Sequence, residues 1–176
     1  MRAGFLAFVF LIASSPRAPE DEGCFDEHTL VTLADGSRME VKRLTSSERV
    51  LDPTTKRGMR VARLVRGPEP FGRTIELATA EGSATFTEQH PIPTSTGVKA
   101  AKDVHVGDLV WNAEGKKREI VRRMDRAPDE TRSVYNVEID TASEDERDHH
   151  LLANGIVVGD WWMEKQRGRA VSVATR

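Results

Sequence analysis

Ala101-Lys102-Asp103-Val104-His105-Val106-Gly107-Asp108-Leu109-Val110 repeats, at an offset of 60 positions, the pattern of Val41-Lys42-Arg43-Leu44-Thr45-Ser46-Ser47-Glu48-Arg49-Val50. The apolar positions Val41, Leu44 and Val50 return as Ala101, Val104 and Val110, and Lys42 and Glu48 return as Lys102 and Asp108. Outward from this pair the same offset aligns Thr74-Ile75-Glu76-Leu77 with Val134-Tyr135-Asn136-Val137. Upstream, His28 to Gly36 is echoed by His90 to Gly97 with a small drift. A period this long that occurs only twice argues for a pseudo-twofold domain, because stacked repeats need three or more units to bury a continuous core. Such symmetry brings both chain ends toward one axis and sets Cys24 beside the end of the second half.

The segments inside each half alternate apolar and polar residues over short runs, as half-buried strands do. Thr29 to Leu33 is one, followed by the hairpin signal Ala34-Asp35-Gly36-Ser37, since Asp-Gly favours a turn with positive φ. Others are Met39-Glu40-Val41, Arg49-Val50-Leu51, Arg60 to Arg66, Thr74 to Thr79 and Ala84-Thr85-Phe86. The turns carry Asp52-Pro53, Gly67-Pro68-Glu69-Pro70 and Glu81-Gly82. Asp125 to Arg132 and Thr141 to Arg147 read as loops. No window sustains a helical period, so the fold class is all-β, with two interlocked β subdomains.

The chain divides into a leader over 1–23, a folded domain over 24–160 and a C-terminal tail over 161–176, polar and loosely held from Met163 to Arg176. About 140 residues suffice for one core, since chains near ~150 residues bury roughly 68–70 % of their unfolded surface. Met1-Arg2 and the apolar run from Ala3 to Ala13 suit a secretory leader, and the run is shorter than the ~20 residues a membrane span needs. Cleavage is expected between Ala13 and Ala18, although Pro16 disfavours the Ser15 junction and no Ala-x-Ala site occurs. The protein is therefore expected to be exported, with an uncleaved anchor as the alternative. Asp-Glu-Gly before Cys24 does not suit a lipoprotein. The net charge of -2 calls for no nucleic-acid partner, and membrane contact is expected only through the apolar run. The acidic Glu20-Asp21-Glu22 and the basic tail residues are short enough to be mere solvated ends.

Cys24 is the only cysteine, so no internal disulfide supports the domain. It follows a flexible glycine at the point where the chain becomes foldable, which suggests chemistry on the bond just upstream. A single cysteine is more often a small buried hydrophobe, so the reading depends on company. That company is Thr87-Glu88-Gln89-His90-Pro91 and His149-His150-Leu151-Leu152-Ala153-Asn154-Gly155-Ile156-Val157-Val158. Taken blandly, the first is a strand-end cap and the second a polar junction between loop and strand. His28 and His105 read as structural or solvated, and Trp161-Trp162 as packing over the sheet. Cys24, His90 and His149 would suit zinc if they converged, but no CxxC or HxxxH spacing supports a dedicated site. No metal or cofactor is expected.

In order and spacing, these motifs resemble the Hint domain of Hedgehog autoprocessing modules, inteins and bacterial intein-like domains. The resemblance rests on Cys24-Phe25 with Thr29 and Val31-Thr32, Asp35-Gly36, Thr87-x-x-His90-Pro91, the stretch from Ala101 to Val110, Val134 to Ile139, and His149 to Val158. It covers Cys24 to about Asp160 and implies an N–S acyl shift at Gly23–Cys24. By this resemblance Cys24 is the nucleophile, His90 the donor to the departing nitrogen, Thr87 with nearby N–H groups the oxyanion donors, and His149 a second assisting histidine. Two positions depart from the pattern. Splicing inteins end in His-Asn where this chain has Gly159-Asp160, and many carry a mechanistic aspartate where this chain has Asn136. Cleavage at the N-terminal side is thus expected without efficient splicing, with Asp160 a candidate for residual chemistry at the far end. The substrate is the chain's own N-terminal segment, the acyl acceptor is water or a small thiol, and the domain is expected to be a monomer. Two alternatives stand beside it: a catalytically silent exported scaffold of the same fold, and a cysteine hydrolase acting in trans.

Overall fold

The computed structural model describes residues 24–67, 72–129 and 131–174. The leader, Gly23 and with it the carbonyl side of the expected scissile bond lie outside the described residues. In chain order the strands are β1 (Phe25–Asp26), β2 (Leu30–Thr32), β3 (Arg38–Glu40), β4 (Arg49–Leu51), β5 (Gly58–Arg66), β6 (Thr74–Thr79), β7 (Gly82–Thr87) and β8 (Pro91–Thr94). They continue as β9 (Gly97–Ala100), β10 (Leu109–Trp111), β11 (Lys117–Glu119), β12 (Arg122–Arg126), β13 (Val134–Ile139), β14 (His150–Ala153) and β15 (Ile156–Gly159), and a helix, α1 (Trp161–Ala174), follows.

One sheet has the order β12-β6-β7-β1-β13-β5-β4, and two four-stranded sheets run β11-β10-β8-β9 and β15-β14-β2-β3. The repeat read in the sequence is visible in this order. β6 and β13 are 60 positions apart and sit symmetrically about the β7–β1 boundary, with β12 and β5 outside them. Short 3-10 turns at Val41–Arg43 and Ala101–Asp103 occupy the two quoted stretches at the same offset. The all-β, pseudo-twofold architecture is therefore the one observed, and the N-terminal strand lies at its centre.

Pleating divides the large sheet into two faces, because successive side chains point to opposite sides. The register Ile75↔Phe86, Phe25↔Phe86 and Phe25↔Tyr135 places an aromatic and aliphatic row on one face. Phe25, Phe86 and Leu77 are fully buried there, each worth about 1.5–3 kcal/mol of transfer free energy. The next register row is polar. It carries Arg126, Thr74, Thr87, Cys24 and Asn136, because Arg126 pairs with Thr74, Thr74 with Thr87, and Cys24 continues β1 opposite Thr87 and Asn136.

The β14–β15 hairpin turns through Asn154 and Gly155, both at positive φ (48° and 87°), the geometry the primed hairpin turns require. The Asn154 side chain accepts from Leu30 N–H at 2.9 Å and donates to the Ser83 carbonyl at 2.6 Å, which ties the hairpin to β2 of its own sheet and to β7 of the large sheet. At Asp35-Gly36 only the glycine is left-handed (φ 84°).

The stretch after Asp160 departs from expectation. It is a helix and not a loosely held tail. Asp160 is its N-cap, accepting Met163 N–H at 3.1 Å on Oδ1, and Met163 is 2 % exposed. A capped first turn anchored by Trp161-Trp162-Met163 does what periodicity further along could not signal. The expected loop from Asp125 begins later, because Asp125 and Arg126 still pair with Ile75 and Thr74.

Candidate active site

Cys24 sits between β7 and β13 at the centre of the large sheet, with none of its surface exposed. Its backbone N–H donates to the Thr87 hydroxyl at 2.7 Å, and its carbonyl accepts from Thr87 N–H at 2.9 Å. Thr87 therefore grips the nitrogen that would leave in an acyl shift, through the oxygen that the sequence reading assigned to the oxyanion. A hydroxyl has lone pairs to accept with and a proton to donate, so the grip still leaves it a donor. Residues opposite each other in an antiparallel pair share a face, and the register puts the Asn136 side chain on the face of the thiol.

The thiol has a close neighbour that the sequence did not single out. A Cβ built on Gly67 would lie 2.9 Å from Sγ and 2.6 Å from Val134 Cγ2. Gly67 N–H donates to the Val134 carbonyl at 2.9 Å, so its backbone is pinned against the thiol. The only sequence signal was a glycine before Pro68, which reads as an ordinary strand terminator.

His90 is fully buried and packs from the aromatic side of the sheet. Its ring lies 4.3 Å from Phe25, tilted, and 5.0 Å from Phe86, nearly parallel. The backbone turn Thr87–His90, closed by His90 N–H on the Thr87 carbonyl at 3.2 Å, carries the imidazole there. Cys24 backbone thus lies between the thiol's polar face and the His90 ring. The residue after His90 touches the far junction: a Cβ on Gly159 would meet Pro91 Cγ at 2.8 Å and Met163 Sδ at 2.6 Å.

His149 belongs to that far junction. Nδ1 lies 3.0 Å from Asp160 Oδ2, Nε2 lies 2.9 Å from the Ser143 carbonyl, and the ring stacks on Trp162 at 4.0 Å. A carbonyl only accepts, so Nε2 carries a proton. Asp160 Oδ2 also accepts Ile139 N–H at 3.1 Å, a donor set suited to an ionised carboxylate facing an imidazolium. Burial pulls the His149 pKa down, but the Asp160 and Ser143 hydrogen bonds and the Asp160 charge outweigh it and leave it raised. With both nitrogens engaged, His149 does not converge with Cys24 and His90 on a common ligand point. Among the described residues no group of three or more His, Cys, Asp or Glu side chains has metal-holding geometry.

A groove of about 370 Å³ borders the site, lined by Asp26, Thr74, Met124 and Arg126 among others. Thr74 and Arg126 share the register row of Cys24, so the groove opens on the thiol's face. Arg126 is paired with Glu76 and Arg132 with Asp26, and Asp125 and Asp129 add two further carboxylates to the lining.

No family model and no curated protein matches the chain. Solved structures do. The gp41-1 intein superposes with a TM-score of 0.63 at 17 % identity over 78 % of this chain and 98 % of that one. A bacterial intein-like domain from Clostridium thermocellum gives 0.66 at 18 % over 78 % and 98 %, and a DnaB intein from Synechocystis sp. PCC 6803 gives 0.60 at 18 % over 79 % and 99 %. The fold is that of these inteins, the Hint fold.

Proposed function

We propose that this chain is a self-processing domain that turns the Gly23–Cys24 peptide bond into a thioester and releases its own N-terminal segment, without joining its flanks. The observation that carries the reading is the 2.7 Å hydrogen bond from the Cys24 N–H to the Thr87 hydroxyl, beside a thiol pinned by Gly67. Sγ attacks the Gly23 carbonyl carbon, giving up its proton, and a tetrahedral centre forms. The C–N bond then breaks as the nitrogen receives a proton from His90, leaving a thioester and a free amine on Cys24. Water or a small thiol, entering by the groove on the thiol's face, resolves the thioester.

Strain alone does not suffice. A distorted peptide stores on the order of 1–4 kcal/mol, whereas enzyme-like acceleration needs roughly 8 kcal/mol or more. Proton delivery by His90 and hydrogen bonds to the oxyanion supply the remainder. In this reading the apolar leader directs export, and cleavage at Cys24 frees the domain from it. Among the described residues no helix is long and apolar enough to cross a membrane, and the leader lies outside them.

Mass spectrometry of the full chain, with and without dithiothreitol, tests the proposal. Wild type is expected to yield a domain beginning at Cys24, faster with thiol, while Cys24→Ala stays intact. An N-terminal mass for Cys24→Ala identical to that of wild type overturns it. The complete burial of Cys24 favours the second reading, a silent scaffold of the same fold, and there the precursor persists in dithiothreitol indefinitely.

A further inference from the structure

Helix α1 contributes to the N-terminal junction a carboxylate that the strands do not provide. Asn136 Nδ2 donates to Glu164 Oε2 at 2.7 Å, and Asn136 Oδ1 accepts from Val137 N–H at 2.8 Å. The amide is therefore held with its nitrogen toward the helix. Its register partner is Cys24, by continuation of Phe25↔Tyr135 and Asp26↔Val134. Directly opposed side chains have Cβ atoms about 4.5–5.5 Å apart. Glu164 is thus one hydrogen bond from the side chain that faces the thiol.

Glu164 is brought there by a built arrangement. Asp160 caps α1 through Met163, His149 stacks under Trp162, and Arg63 lies 3.9 Å over Trp161 from β5. These contacts fix the first turn on β13 and β5, on the polar face of the sheet. Each of them engages a residue at or just beyond Asp160, where a processing domain with two cleavable ends would hand over to its downstream flank.

We propose that Glu164 is a positioning residue of the self-processing reaction: it orients Asn136 against the junction, and its carboxylate accepts, through a bridging water, the proton that Cys24 Sγ gives up as the sulfur attacks. This rests on the self-processing reading. The proton balance closes. One proton leaves Sγ and ends on the Glu164 carboxylate by way of the water, one reaches the Cys24 nitrogen from His90, and exchange with solvent deprotonates Glu164 and reprotonates His90 while the C–N bond is replaced by C–S. The consequence is that α1 is a working part of the domain, so residues beyond Asp160 are required for cleavage at Gly23–Cys24.

The test exploits the near-identity in shape of the two side chains. Glu164→Gln keeps an acceptor for Asn136 but removes the charge, and thioester formation is expected to slow on the order of 10²-fold, the lower range for acid–base assistance. Combining it with Asn136→Asp exchanges amide and carboxylate, preserves the hydrogen bond and moves the charge onto β13. That double variant is expected to recover to within about tenfold of wild type, with all three proteins unfolding at similar urea concentrations. Wild type that cleaves, with Glu164→Gln at the same rate, overturns the role of Glu164 alone. So does a double variant as slow as the single one, because the contact would then be only structural. Wild type that never cleaves overturns the self-processing reading and this role with it.

Discussion

Gly67 is where a single missing side chain matters most. Its Cβ position falls within 3 Å of both the Cys24 sulfur and a Val134 methyl, and neither sits at the end of a long flexible side chain. Gly67→Ala is expected to cost about 1–3 kcal/mol, as overpacking of a tight core does, and to displace the sulfur from the junction. Cleavage should slow by more than the stability loss explains, read as product mass against time at a temperature where the variant is fully folded. An alanine variant that cleaves at the wild-type rate would show that sulfur placement tolerates the shift. Cys24, Thr87 and His90 were legible in the sequence because their types announce chemistry and their spacing matches a known pattern. Gly67 and Glu164 were not, since a glycine before proline and a glutamate in a polar run look the same in hundreds of inert contexts. Their roles exist only through neighbours distant in sequence.

At the scale of the element, α1 is the part that sequence patterning could not reach. Its large apolar residues, Trp161, Trp162 and Met163, lie in the first turn, the stretch from Glu164 to Arg169 is polar apart from Gly168, and only Ala170, Val171, Val173 and Ala174 follow, so propensity and period say little. What makes it a helix is the Asp160 cap and the Lys165–Trp161 contact one turn apart, together with tertiary contacts: the Trp162 ring on His149, Arg63 over Trp161, and Arg167 donating to the Val98 carbonyl at 2.6 Å. The Asp160–His149 pair is the keystone, and its pH dependence has a definite sign. The folded pKa of His149 is raised, so the pair's contribution is complete below the unfolded histidine value of about 6.5 and is lost as pH rises through the folded value. Urea midpoints of wild type should therefore be highest at the lower pH, below about 6.5, and fall as pH rises above it through this pair. Asp160→Asn keeps an acceptor for Met163 N–H but leaves His149 buried without its counter-ion. It should cost about 3–5 kcal/mol at the lower pH and flatten the slope. A variant with the wild-type slope would place the titration elsewhere.

On the scale of the whole molecule, the twofold repeat was legible because each half writes its own strands in alternating residues. The joints between halves were not: β1 entering between β7 and β13, and the β14–β15 hairpin pairing with β2, depend on contacts more than 60 positions apart. Those joints bring the two junctions together. Asp160 bonds to Ile139 and Cys24 faces Asn136, three residues apart on β13, or about 10 Å at strand rise. The two ends nevertheless present different surroundings to the bond each would open. For Asp160 to open the bond after it, its carboxylate would have to attack its own carbonyl carbon. Oδ1 is committed to Met163 N–H, and Oδ2 to Ile139 N–H and His149. The carbonyl itself accepts Glu164 N–H at 3.3 Å as the start of the helix. Attack would forfeit the cap, strand a buried imidazolium and unwind the first turn, each costing on the order of 1 kcal/mol or more. A reporter domain fused after Arg176 is therefore expected to stay attached to this chain through prolonged incubation with thiol, while the N-terminal segment is lost. Release of the reporter, detected as a fragment beginning at Trp161, would show that the far end works and that its hydrogen bonds open during the reaction.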